Sequence, residues 1–144
     1  MVEAFRPEEW PQFVRFPAFT RDWERLGLDD TALRALEFEI LKGLDRTPVV
    51  RGTGGLRKIR FAEPGSKRGK RGAYRVCYVY FPEFGTIALV AIFGKTEKSD
   101  LTQADQRAIA AMIKDYRTEL QWEFARMQKA QGDHARGGNN GKAG

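Results

Sequence analysis

The residues best placed to do chemistry are three cations on two strand-like runs: Lys58 and Arg60 within Leu56 to Phe61 (LRKIRF), and Arg75 at the entrance of Tyr74 to Phe81 (YRVCYVYF). The alternation of a strand puts Leu56, Lys58 and Arg60 on one face and Arg57, Ile59 and Phe61 on the other. Side chains two apart on a strand are roughly 6.5 Å apart, a spacing that lets Lys58 and Arg60 reach adjacent phosphates of one nucleic-acid strand. Between the two runs lies AEPGSKRGKRG, whose Lys67, Arg68, Lys70 and Arg71 sit among glycine and proline and cannot belong to a regular element. Residues 1 to 50 carry 7 Lys+Arg and 10 Asp+Glu, residues 51 to 80 carry 9 and 1, and residues 81 to 144 carry 9 and 8. A chain of net charge +6 therefore concentrates +8 in thirty residues, which is the electrostatic footprint of a polyanion site. The plainer reading of such a run is a solvated basic loop that aids solubility.

Several other chemistries are excluded by composition. One histidine, His134, and one cysteine, Cys77, far apart in the chain, leave no zinc constellation, no Ser-His-Asp triad and no Cys-His pair. Glu63 is the only carboxylate of the basic segment, whereas a two-metal nuclease surrounds its ions with several. Any phosphodiester chemistry here is expected to need neither metal nor cofactor. Cys77 lies in an apolar run and reads as a small buried side chain. The RGTGG turn that precedes the first basic run lacks the GxxxxGK[ST] spacing of a phosphate loop.

The elements that position these residues follow from periodicity. Phe13 to Phe16 is a short β-like run that Pro17 ends, and that proline also suits the first turn of a helix. Phe19, Trp23 and Leu26 share one face of that helix, with Gly27 as its stop. Asp29 and Asp30 are caps for a second helix striped by Leu33, Leu36, Ile40 and Leu44, with Gly43 and Pro48 at its end. Strands are expected at 56 to 61, 74 to 81 and 86 to 93, the last two joined by the turn Pro82 to Gly85. Thr102 and Asp105 form a capping box with Asp in place of Glu. They open a helix to about Ala130, striped by Ile109, Met112, Ile113, Tyr116, Leu120, Phe124 and Met127. Its first three turns are expected in the core, and the turns around Trp122, Phe124 and Met127 outside it.

The expected organisation is an extension over 1–11, one domain over 12–130 and a disordered Gly-rich tail over 131–144, in a chain whose 42% hydrophobic residues suffice for a core. With no apolar run of about 18 residues and an N-terminus without a basic and then apolar leader, the chain is expected to be soluble and cytoplasmic, with no membrane association.

The runs GTGGLRKIRF, GKRGAYRVCYVYF and IFGKTEKSDL, in this order and spanning Phe13 to Glu123, resemble the HigB-type toxins of the RelE/ParE superfamily, the toxins of bacterial type II toxin-antitoxin pairs. The resemblance implies an α+β fold: a twisted, mainly antiparallel sheet with two N-terminal helices on one face, a basic concave opposite face, and a C-terminal helix. It also implies an endoribonuclease that cuts messenger RNA on the ribosome, held inactive by a cognate, HigA-like helix-turn-helix antitoxin through which alone operator DNA is contacted. The positions that match the family's motifs are Lys58 and Arg60 on the first basic strand, Arg75 at the start of the next, and Lys95 after Gly94. RelE members carry an arginine and later a tyrosine where this chain has Thr96 and Thr102, and Lys98 is the substitute charge. Two alternatives belong to other classes: a ParE-like toxin that inhibits gyrase by binding, and a basic RNA-binding module without activity.

Under the nuclease reading, Arg60 and Arg75 hold the scissile phosphate. Lys58 is the candidate base, on the general ground that neighbouring cations favour a neutral lysine. Lys95 is an acid or a further clamp. Arg57, Lys67, Arg68, Lys70, Arg71 and Lys98 are docking charges for RNA or ribosome. Four loop cations on one RNA strand predict a log–log salt dependence of binding with slope of roughly −3, at about 0.7 per contact, measurable by fluorescence anisotropy between low and physiological salt; salt-insensitive binding would remove this electrostatic account.

Overall fold

The computed structural model of the chain describes residues 10–44, 46–65, 73–94 and 100–143, the side chains of the last segment to residue 132. Seven regular elements follow the expected order: β1 (Gln12–Arg15), α1 (Pro17–Arg25), α2 (Asp30–Lys42), β2 (Leu56–Phe61), β3 (Tyr74–Phe81), β4 (Thr86–Phe93) and α3 (Gln103–Ala143), with a 3-10 turn at Pro82–Phe84. The fold is α+β. Its sheet has strand order β1-β4-β3-β2, with β1 parallel to β4 and the other two pairs antiparallel. The β2, β3 and β4 boundaries are those that the apolar and turn residues predict.

Local signals explain the helices. Pro17 stands at the first turn of α1, where its missing N–H costs nothing. Asp29 caps α2, its carboxylate accepting from the Ala32 N–H at 2.8 Å. At α3 the capping box is reciprocal: the Thr102 N–H donates to Asp105 Oδ2 at 2.9 Å, and the Asp105 N–H donates to Thr102 Oγ1 at 3.0 Å. The helix continues to Ala143, through the stretch for which composition predicts a disordered tail from residue 131.

Both faces of the sheet are covered. On one, Phe19, Trp23, Leu33, Leu36 and Ile40 of α1 and α2 pack against Phe61, Val76, Tyr78, Ile87, Leu89 and Ile92. On the other, Ile109, Ile113 and Leu120 of α3 pack against Leu56, Cys77, Val79, Phe81, Ala88 and Val90. The second layer corrects an expectation drawn from the resemblance. The face opposite α1 and α2 is not open along its length: α3 roofs its apolar part, and among the described residues Lys58, Arg60 and Arg75 share the corner it leaves uncovered. Along α3 burial ends at Leu120, and Trp122, Phe124 and Met127 are exposed as expected. Met112, within the first three turns, is also 40% exposed.

A bulge keeps both layers in register. Cys77 pairs with Ala91 but Tyr78 pairs with Leu89, so Val90 is the extra residue of β4. Without that extra residue Ile92 would lie on the α3 face; with it, Ile92 joins Ile87 and Leu89 under α1 and α2.

The RGTGG segment sets where β2 begins. Gly52, Gly54 and Gly55 adopt φ of +79°, +76° and +131°, a region that favours glycine. Within the turn Thr53 is fully buried, its hydroxyl donating to the Val50 carbonyl at 2.6 Å and accepting from the Leu56 N–H at 3.0 Å. Arg117 of α3 locks the same turn from above, donating to Glu83 Oε1 at 3.0 Å and to the Gly54 carbonyl at 3.3 Å while stacking 4.9 Å from the centre of the Phe81 ring. Thr53→Val keeps the volume but strands a buried N–H and a half-buried carbonyl, and is expected to lower unfolding free energy by about 2 kcal/mol, read from the urea midpoint.

Candidate anion-binding site

Three of the four residues proposed for chemistry converge. Lys58, Arg60 and Arg75 line a pocket of about 280 Å³ with Ile59 and Asp100. The register explains how: Arg60 lies directly opposite Arg75 on β3, and Lys58 opposite Cys77. Leu56, Lys58 and Arg60 do share a face. Leu56 sits beneath α3, Lys58 is partly covered, and Arg60 is exposed beyond it. The pocket is thus the part of the α3 face on which the helix does not rest.

Its electrostatics are unusual for a sheet. Like charges directly across a strand pair repel, yet Arg60 and Arg75 are so placed. Arg75 Nη1 is buried and, among the described residues, has no hydrogen-bond partner. A buried guanidinium N–H left unpaired costs more than an ordinary lost hydrogen bond, and an oxyanion in the pocket is the ligand that would satisfy it.

Asp100 is the residue that sequence reasoning passed over. Its Oδ1 accepts from Lys58 Nζ at 2.5 Å and from the Leu101 N–H at 2.8 Å, and its side chain remains 63% exposed. These two hydrogen bonds, Lys58 first, together with the positive charges of Lys58 and Arg75, hold its carboxyl below the usual carboxylate range against a smaller opposing effect of burial. The one available signal was its place in the quoted run KTEKSDL; forty-two residues separate it from Lys58, and no periodicity connects them.

Arg57 is not part of this assembly. As alternation requires, it points to the other face, and its Nη1 donates to the Thr47 carbonyl. With the bridge between Val49 and Arg57 this ties β2 to the segment that leads into it. The remaining basic candidates, Lys67, Arg68, Lys70, Arg71, Lys95 and Lys98, as well as Thr96, lie outside the described residues. Tyr74 and Tyr78 are buried against α1 and α2, and Tyr80 packs at the edge of that cluster. Tyr116 packs edge-on against Phe16 and Phe81, and burial followed by the charges of Glu123 and Glu119 raises its hydroxyl pKa. Among the described residues no group of three His, Cys, Asp or Glu side chains is placed to hold a metal, and no helix is long and apolar enough to cross a membrane.

No protein-family model matches the chain. Among solved structures it is similar to a mutant of the E. coli toxin RelE in the free state, at 14% identity over 72% of this chain and 96% of that one, with a TM-score of 0.46. The isolated E. coli RelE toxin gives 16% identity over 71% and 98%, with a TM-score of 0.42.

The lowered carboxyl of Asp100 gives a signed pH expectation. A group whose pKa is depressed on folding adds stability above its unfolded pKa and loses it as pH falls through the folded value. The Lys58–Asp100 pair is therefore expected to be intact at neutral pH and to open only below the ordinary carboxylate range. Side-chain carboxyl NMR should show Asp100 titrating below 3.8, its ordinary value; a midpoint at or above it would mean that the pair does not persist in solution.

Proposed function

We propose that the protein is the toxin of a type II toxin-antitoxin pair, of the HigB type within the RelE/ParE superfamily, and that it cleaves messenger RNA on the ribosome without a metal ion. The observation that carries this reading is the opposed pair Arg60 and Arg75, which line one pocket with Lys58, Arg75 Nη1 being buried without a partner among the described residues. Two guanidinium forks facing one small pocket suit a phosphodiester, whose charge grows as it becomes a phosphorane. Two of the three motif runs that resemble the HigB-type toxins carry these same residues, Lys58 and Arg60 in GTGGLRKIRF and Arg75 in GKRGAYRVCYVYF.

The reaction is an in-line transesterification. The 2′-oxygen loses its proton and bonds to the adjacent phosphorus, the bond from phosphorus to the 5′-oxygen breaks, and that oxygen takes a proton. The products are a 2′,3′-cyclic phosphate and a 5′-hydroxyl. Arg60 and Arg75 stabilise the phosphorane. Lys58 is donating to Asp100 in the resting arrangement, and an ammonium engaged in this way has no lone pair to offer. Its service as base requires that it leave Asp100 and give up a proton first. Lys95 remains the candidate acid or second clamp. The partners on this reading are ribosome, messenger RNA and an antitoxin of the HigA type, and the compartment is the cytoplasm.

Primer extension on messenger RNA after induction tests the proposal. The native chain should produce discrete stops, and Arg60→Ala or Arg75→Ala should each lower the cleavage rate by about 10² or more while RNA binding by the remaining cations persists. Arg57→Ala should leave cutting intact. A 2′-deoxy substitution at the cleaved nucleotide should abolish it. Growth arrest with intact messenger RNA would instead indicate a toxin that acts by binding, as the gyrase inhibitors do.

A further inference from the structure

Asp100 is a carboxylate inside a site otherwise built for an oxyanion, and no step of the proposed reaction uses it. It carries the same single negative charge as a phosphodiester and occupies one of the three cations, Lys58. It is covalently part of the chain, so its effective concentration at Lys58 exceeds that of a dilute free anion. It is held by one ammonium and one backbone N–H and is largely open to water, so a ligand can displace it. An alternative role as proton acceptor fits poorly: the contacts that hold its carboxyl low also make it a weak base.

We propose that Asp100 is a built-in competitor that sets the ligand class of the pocket, excluding isolated phosphates and mononucleotides and admitting polymeric RNA. A lone phosphate must either displace the carboxylate from Lys58 or sit beside it on Arg60 and Arg75 against its repulsion. A phosphate within a chain meets the same opposition, but its neighbours bring further cation contacts that offset it. Asp100 is thus a specificity-determining residue, and this inference rests on the phosphodiester reading of the site.

The test uses the full-length chain and its Asp100→Asn variant, with Asp115→Asn as the control that removes an equal charge from the exposed side of α3. Inorganic phosphate is titrated while the backbone amide signals of Lys58, Arg60, Arg75 and Leu101 are followed by NMR. The native chain and Asp115→Asn should show weak binding, and Asp100→Asn should bind about 10-fold more tightly. A labelled single-stranded RNA 12-mer, measured by anisotropy, should gain less, about 3-fold, so that selectivity for polymer over phosphate falls. Equal gains in Asp115→Asn, or no gain for phosphate in Asp100→Asn, would overturn the proposal, as would a loss of phosphate binding, which would make Asp100 a support for Lys58. If phosphate binds Asp100→Asn tightly but neither protein binds the RNA, the RNA reading falls and with it the polymer half of the inference, while the competition at Lys58 stands.

Discussion

The period-two alternation of β2 is the constraint from which the rest follows. Leu56 must be buried, and Lys58 and Arg60, which share its face, must not. One strand therefore crosses from an apolar layer to a charged one within five residues, and the helix above it can cover only the first part. Where α3 starts consequently decides whether there is a pocket at all. The reciprocal capping bonds of Thr102 and Asp105 fix that start, and Arg117, three turns further on, pins the helix to the turn before β2. The site is the boundary between a hydrophobic roof and its absence, and its cations are held by elements whose other contacts are ordinary core packing.

That arrangement also resolves the cost of placing Arg60 opposite Arg75. In a monomer without ligand, two guanidinium groups across a strand pair are a local defect, reduced by the carboxylate of Asp100 and by the exposure of Arg60. The defect lies between two strands paired residue by residue from Leu56–Val79 to Phe61–Tyr74, so the ladder fixes both arginine backbones at the corner that α3 leaves uncovered. Rigid support of mutually repelling donors is what lets an oxyanion gain from both without first paying to assemble them.

Much of this was legible in the chain. Strand limits at Leu56, Phe61, Tyr74, Phe81, Thr86 and Phe93 follow from local pattern, because β-branched and aromatic runs bounded by glycine and proline leave few other choices. Alternation assigned Lys58 and Arg60 to one face of β2, Arg75 was carried over from the family's motif, and the register sets it opposite Arg60. The same rule put Arg57 on the far face, and there its Nη1 donates to the Thr47 carbonyl. Two things were not legible. The pairing of Lys58 with Asp100 joins residues that no local rule connects, and the coverage of the second face by α3 depends on the direction in which the helix leaves its cap. The parity change at Val90 is equally silent in TIALVAIF, where every residue but the threonine is apolar and either face would accept it.

The parallel pairing of β1 with β4 has a consequence in time. Gln12 pairs with Thr86 and Arg15 with Leu89, so β1 has no partner in this sheet until β4, the last of its four strands, exists. As the chain leaves the ribosome, α1 and α2 appear with Phe19, Trp23 and Leu36 still lacking the sheet they cover. Lys58 and Arg60 come next, without the opposed Arg75. The charged corner is thus assembled late, by strands that follow one another closely, and is sealed when β4 slides between β3 and the waiting N-terminal strand. A nascent chain of this design holds its charged corner in pieces for most of its own synthesis.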